Sequence, residues 1–242
     1  MTWLQKLRSV FRKKIVKQDT PSKTSSGNSS SGIKVKYPLA IVLEDQPLMV
    51  RGGSYKNNFP EGAIIHFTAG WQNQKGIDAI KFANKMGHRY FFIDEKGQVY
   101  QQFCLTGYGS HAGTSKCPVT GRTTVSQYYV GIEVACGGRL EDADKDGQVD
   151  DTYFKTNVPP EKTRTGSISN KWQKSNYGSY EKFTNEQEIA LKKLCTWLCE
   201  NGSNPDLIFG HDEVAPNRKN DPGLSLSVSM DDFRKIIKGS LL

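Results

Sequence analysis

Apolar positions along this chain recur with two periods, and the switches between them mark its elements. Ala63–Thr68 (AIIHFT) and Tyr128–Ala135 (YYVGIEVA) are continuous runs rich in β-branched and aromatic residues, which predict buried strands. Tyr90–Asp94 and Gln98–Phe103 flank Glu95-Lys96-Gly97 and predict a hairpin, and Leu207–His211 predicts a further strand. Helical spacing sets in over Gly76–Gly87, where Ile77, Ile80 and Ala83 share a face and Gly87 supplies a C-cap. Thr184–Cys199 opens with a capping box, Thr184 to Gln187, and carries a stripe of Ile189, Leu191, Leu194, Cys195 and Leu198. Met230–Ile237 predicts a last short helix with Ser229 as its N-cap. Strands and helices interleave without an internal repeat, so the expected class is α/β (α+β), a sheet with helices on its faces.

The first 33 residues follow another pattern. Trp3, Leu4, Leu7, Val10, Phe11 and Ile15 lie on one helical face, and basic residues fill most of the rest. Residues 1–17 therefore predict a basic amphipathic helix suited to an anionic membrane surface or to a partner protein. A helix packed on its own domain, or a frayed tail, is the plainer alternative. Lysines and arginines interrupt any 7–15-residue apolar core, so no cleavable secretory signal is expected. Residues 18–33 are rich in Ser, Gly and Thr, bury too little to offset their ordering entropy, and read as a flexible linker. The globular domain then spans residues 34–242.

Charge sharpens this division. Residues 1–32 carry seven cations against Asp19, which accounts for +6 of the chain's net +8. The body is nearly neutral, whereas a nucleic-acid binder carries its basic surface on the folded domain, so no nucleic-acid partner is expected. A hydrophobic fraction of 36% supports a sizeable core, yet no run of about 18 apolar residues suggests a membrane span. Five cysteines are too few for a disulfide-stapled fold. Cys195 and Cys199, one helical turn apart, suit packing; Cys104, Cys117 and Cys136 leave room for one bridge, with free core thiols as the plainer alternative.

Candidate chemistry centres on four histidines, His66, His88, His111 and His211. His66 sits inside a predicted strand. His211 ends another and opens Gly-His-Asp-Glu-Val-Ala-Pro-Asn-Arg-Lys-Asn-Asp-Pro-Gly, with Asp221 ten residues on. Two imidazoles and a carboxylate are a normal catalytic zinc set that leaves a fourth position for water. On spacing alone, structural histidines remain the commoner outcome.

IIHFTAG, the YYVGIEV strand and GHDEVAPNRKNDPG together resemble the zinc-dependent N-acetylmuramoyl-L-alanine amidase family, over roughly residues 60–225. That family includes phage lysozyme-type amidases, anhydro-muropeptide amidases and peptidoglycan-recognition proteins. The resemblance implies a central mixed sheet flanked by helices, with zinc in a groove held by His66, His211 and Asp221. It makes Glu133 the catalytic glutamate and Lys219 the residue stabilising the developing oxyanion. It places His111, in Gly-Ser-His-Ala-Gly, along the substrate groove. Arg89 stands where one branch has a catalytic tyrosine, which favours Glu133 as the working base, and His88 reads as structural. The implied substrate is peptidoglycan. The implied setting is a phage lytic or virion-associated enzyme, made in a bacterial cytoplasm and reaching the wall through a holin-type lesion or with a particle. A cytoplasmic enzyme recycling anhydro-muropeptides and a non-catalytic peptidoglycan-binding module are the rivals.

Residues 136–183 are a long insertion between the Glu133 strand and the Thr184 helix. Within it Asp142, Asp144, Asp146, Gly147 and Asp150 follow the pattern of a calcium (Ca2+) loop. Position twelve is Tyr153 rather than the bidentate Glu, so the loop is incomplete unless Asp151 or another residue substitutes; a solvated acidic loop is the alternative. Trp172, Tyr177 and Tyr180 suit either a sugar-stacking groove wall or an ordered surface loop.

Overall fold

A computed structural model describes residues 36–42, 53–70, 75–101, 103–173 and 176–242. The helix and linker expected over residues 1–33 lie outside the described residues. Those described belong to one compact unit, Ile33–Leu242.

The elements in chain order are β1 (Gly53–Ser54), β2 (Gly62–Phe67), α1 (Gly76–Met86), β3 (Tyr90–Ile93), β4 (Val99–Tyr100), β5 (Gly107–Tyr108) and β6 (Tyr129–Val134). Then come β7 (Thr163–Ile168), β8 (Asn176–Glu181), α2 (Asn185–Glu200), β9 (Ile208–Gly210), α3 (His211–Val214) and α4 (Met230–Gly239). The main sheet has the order β4-β3-β6-β2-β9. β3, β6, β2 and β9 run parallel, and β4 returns antiparallel on β3 as the hairpin pattern predicted. The expected mixed sheet with flanking helices is the observed fold.

Alternation along the strands gives the sheet two unlike faces. Ala63, Ile65, Phe91, Ile93, Val130, Ile132, Val134 and Ile208 point to one face, and Leu191, Leu194 and Leu198 of α2 with Phe233 and Ile237 of α4 close over it as the main core. Each such side chain, fully buried, contributes about 1.5–3 kcal/mol. The opposite face is covered in two patches. Ala79, Ile80 and Ala83 of α1 pack on Tyr90 and Phe92 at one side. Ile64, Tyr129 and Phe209 meet Ala112, Val125 and Val214 at the other. Polar residues of β2 and β6 occupy the gap between these patches.

Local signals held where they were chemical. The Thr184–Gln187 capping box forms, Gly87 takes the left-handed conformation (φ 73°), and the Ser229 side chain caps α4 through Asp232 N–H. One stripe residue differs. Ile189 is exposed and Ala190 is buried, because Ile189 stands about 200° round the helix from Leu191. The insertion holds an unpredicted antiparallel hairpin, β7–β8, paired from Thr163↔Glu181 to Ile168↔Asn176. All five cysteines are free thiols, so the open disulfide alternative is not taken.

Candidate functional site

His66 on β2 and Glu133 on β6 are direct register partners across a parallel pair. Neighbours in register share a face, so both emerge in the gap between the two smaller clusters. His211 follows β9 directly and opens α3. The chain then loops back until Asp212 N–H donates to the Asp221 carbonyl at 2.8 Å, which brings Asp221 beside His211. The Asp221–Pro222 peptide is cis.

His66 Nδ1, His211 Nδ1 and Asp221 Oδ2 form a near-equilateral triangle, 2.9 Å between the imidazoles and 3.0 Å from each to the carboxylate. All three residues are buried. The outer ring nitrogens assign the tautomers. His211 Nε2–H donates to Ala112 O at 3.0 Å. His111 Nε2–H donates to Tyr129 O at 2.9 Å, which leaves His111 Nδ1 to accept from His66 Nε2–H at 3.1 Å. Both inner Nδ1 atoms are therefore unprotonated. Three lone-pair donors face one another with no hydrogen between them, an arrangement that calls for a cation at their centre. Tetrahedral zinc, about 2.0–2.1 Å from N and O ligands, spaces them about 3.3 Å apart. The residues present fit that ion within a few tenths of an ångström.

The electrostatics agree. Burial, and then the neighbouring His211, push the His66 pKa down to about 4. Burial and His66 hold His111 well below the ordinary imidazole value. Glu133 is driven the other way, well above the ordinary value, by burial and then by Asp221, with half-buried Lys219 opposing. A carboxylate with raised proton affinity beside a metal position has the character of a general base. Lys219 acts electrostatically on both His66 and Glu133, as expected of a cation facing the site.

The structure thus brings together His66, His211, Asp221, Glu133 and Lys219. His111, expected along the groove, has both ring nitrogens engaged inside the protein and stands behind His66. The carbonyls of Ala112 and Tyr129 that orient the rings carry no sequence signal. Arg218 Nη2–H donates to Ala112 O and Thr114 O, both at 2.8 Å, and fixes the first of these carbonyls. Gly131 is also required: a Cβ there would lie 2.8 Å from His111 Cγ. His88 is bonded to Ser110 O, and Arg89 is buried with its guanidinium on His88 O, in keeping with structural roles.

Of the insertion aromatics, Tyr180 is buried and Trp172 packs on Phe209 beneath Arg234, so neither is free to stack on a sugar; Tyr177 is exposed. Asp142, Asp144 and Asp146 cluster on an exposed part of the insertion, separate from the triangle. A cavity of about 390 Å³ beside the start of α2, lined by Glu95, Glu181 and Lys162, includes none of the triangle residues.

Comparison with curated protein sequences finds no match. Among solved structures, AmpDh3 from Pseudomonas aeruginosa in complex with anhydromuramic pentapeptide is similar at a TM-score of 0.50 and 16% identity, covering 82% of this chain and 66% of that one. Endolysin LysCS from Clostridium intestinale, an N-acetylmuramoyl-L-alanine amidase, gives 0.49 and 17%, covering 84% and 98%. AmiD from E. coli, bound to an anhydro-N-acetylmuramic acid peptide, gives 0.48 and 17%, covering 80% and 66%. At 16% identity the likeness to AmpDh3 is one of fold. The family model for N-acetylmuramoyl-L-alanine amidase matches residues 56–224, from the turn before β2 to the limb beyond Asp221, and so takes in every residue of the triangle. By that match this chain belongs to the N-acetylmuramoyl-L-alanine amidase family.

Proposed function

We propose that this chain is a zinc-dependent murein amidase of the lytic kind, which hydrolyses the amide between the lactyl group of N-acetylmuramic acid and L-alanine in the cell wall. The observation that carries the reading is the proton-free triangle of His66, His211 and Asp221 with Glu133 in register beside it. Zinc, when bound, supplies Lewis acidity and lowers the pKa of a water towards about 7. Glu133 takes the proton of the attacking water and passes it to the leaving L-alanine amine. Lys219 sets positive charge against the oxygen that becomes negative as the carbonyl carbon turns tetrahedral. His111 and Ala112 O keep the two imidazoles in the ligating tautomer.

The basic arm supports a wall-directed role over a recycling one. Its +6 charge concentrates the enzyme at an anionic envelope, reached through a holin-type lesion or with a virion.

The test is an assay on purified peptidoglycan with and without a zinc chelator, beside Asp221→Ala. New L-alanine amine that disappears with chelator and variant, with no new reducing sugar ends, supports the reading. Murein binding without amine release makes the chain a recognition module instead. Removing residues 1–32 then separates the settings: selective loss on intact envelopes supports the lytic role, and equal activity with a preference for small anhydro-muropeptides supports recycling.

A further inference from the structure

The insertion between β6 and α2 carries a feature that the amidase site does not use. Asp142, Asp144 and Asp146 are exposed, and each places a carboxylate oxygen within 4.8 Å of the others. A second observation lies beneath them. Asp151 is fully buried, and its Oδ1 has no hydrogen-bond partner. Its Oδ2 accepts the N–H groups of Ala143 and Asp144 at 3.0 and 2.8 Å, so this carboxylate lies against the inside of the same loop. Asp150 Oδ1 is likewise shut off from solvent without a partner. A buried carboxylate oxygen lacking a donor is costly, and Asp151 lies against the loop that bears the Asp142, Asp144 and Asp146 carboxylates, a concentration of negative charge that a multivalent cation would offset.

The donor set selects the ion. A twelve-residue calcium loop takes oxygen ligands from positions 1, 3, 5, 7 and 9, with glycine at 6. Counted from Asp142, these are Asp142, Asp144, Asp146, the Gln148 carbonyl and Asp150, with Gly147 at φ 91°. Position 12 is the exposed Tyr153, and buried Asp151, held against the loop by the Ala143 and Asp144 N–H groups, is the carboxylate available in its place. Oxygen donors of high negative charge suit Ca2+ rather than zinc. We propose that residues 142–151 form a calcium site, distinct from the amidase centre, that fastens the insertion. Glu141 and Asp151 exchange backbone hydrogen bonds of 2.8 and 2.9 Å, and Leu140 N–H donates to Ser179 O. Next along β8, the ring of Tyr180 packs against Gly223, two residues after Asp221. A cation in the loop therefore braces the strands that lean on the Asp221 limb.

Calorimetric titration of the zinc-loaded full-length chain with Ca2+, repeated with Mg2+, tests this independently of catalysis. One saturable site per chain, with Kd below about 1 mM for Ca2+ and at least about tenfold weaker for Mg2+, is expected. Asp144→Asn with Asp146→Asn should weaken Ca2+ binding by about 30-fold or more, with zinc content unchanged. Absence of saturable binding up to about 10 mM in the unmodified chain overturns the proposal, whether or not the variant folds. So does undiminished binding in a folded variant, which would place the ion elsewhere.

Discussion

Glu133 stands directly across from His66 in the parallel β6–β2 pair, so one rigid sheet fixes a metal-ligand candidate and a base candidate at a single level. Neither depends on a mobile loop for its position, as a preorganised site requires.

The first prediction follows from that separation of roles. Glu133→Gln keeps the shape and removes only proton affinity. Zinc content should stay at the unmodified level while amide hydrolysis falls by about 10²–10⁴-fold. Metal analysis beside the amine-release assay checks this. Loss of zinc in step with activity would make Glu133 a structural support of the metal and not the base.

His111 is predicted to act through His66. His111→Ala removes the acceptor for His66 Nε2–H and should weaken zinc binding about 10–100-fold, the usual cost of losing such an outer partner. His111→Gln retains a side-chain acceptor and should recover part of it. Gly131→Ala should resemble His111→Ala, because its Cβ would lie 2.8 Å from His111 Cγ and 3.0 Å from Tyr90 Cβ. Competition with a chromogenic zinc chelator reads all three. Unchanged zinc affinity with a raised KM would return His111 to the substrate groove.

The ligand limb was legible through a family resemblance that one local motif carries: His211, Lys219 and Asp221 fall within eleven residues, around fixed proline and glycine positions. His66 was legible as a histidine inside a predicted strand and Glu133 only through the family resemblance of its strand, and their register across the sheet was not. The role of His111 was hidden because it rests on the Tyr129 carbonyl, 18 residues away, and on His66, 45 residues away. The β7–β8 hairpin was hidden for another reason. TRTGSI and NYGSYE carry almost no apolar alternation. Their pairing rests on the backbone ladder and on contacts such as Thr165 Oγ1 with Ser179 Oγ at 2.8 Å, which no hydropathy pattern records. Ile189 shows that a stripe read from sequence is uncertain at its margin until the partner face is known.

Acid should destabilise the metal-free protein through His66. Its folded pKa, about 4, lies below the ordinary 6.5. Between those values the unfolded chain binds a proton that the folded chain refuses, so stability falls as pH falls. The loss reaches about 3 kcal/mol by pH 4, and above about pH 6.5 this group adds no slope. Urea unfolding of the metal-free chain at pH 7, 5.5 and 4, beside His66→Asn, measures it. The variant should show a loss smaller by about that amount; equal slopes in both proteins would assign the acid sensitivity to other groups.

The insertion should matter to the metal through Arg164. From β7 its Nη1–H donates to Leu224 O at 2.6 Å and Leu226 O at 2.9 Å. The first carbonyl lies within the Gly223–Ser225 turn that follows Asp221-Pro222 and the second just beyond it, and Phe183 N–H donates to Ser225 O at 2.8 Å from the far side of the hairpin. The limb bearing Asp221 is thus fixed at one end by Asp212 N–H on its own carbonyl and at the other by a strand some 60 residues earlier in sequence. Arg164→Ala leaves two carbonyls without their charged donor and should cost about 1–3 kcal/mol of stability. Arg164→Lys restores charge without the planar fork and should recover only part of it. If the hairpin positions Asp221, zinc affinity should fall in Arg164→Ala even at temperatures where the variant is fully folded. If zinc affinity holds while the unfolding midpoint drops, the hairpin supports the fold alone and the Asp221 limb is set by α3 and the sheet.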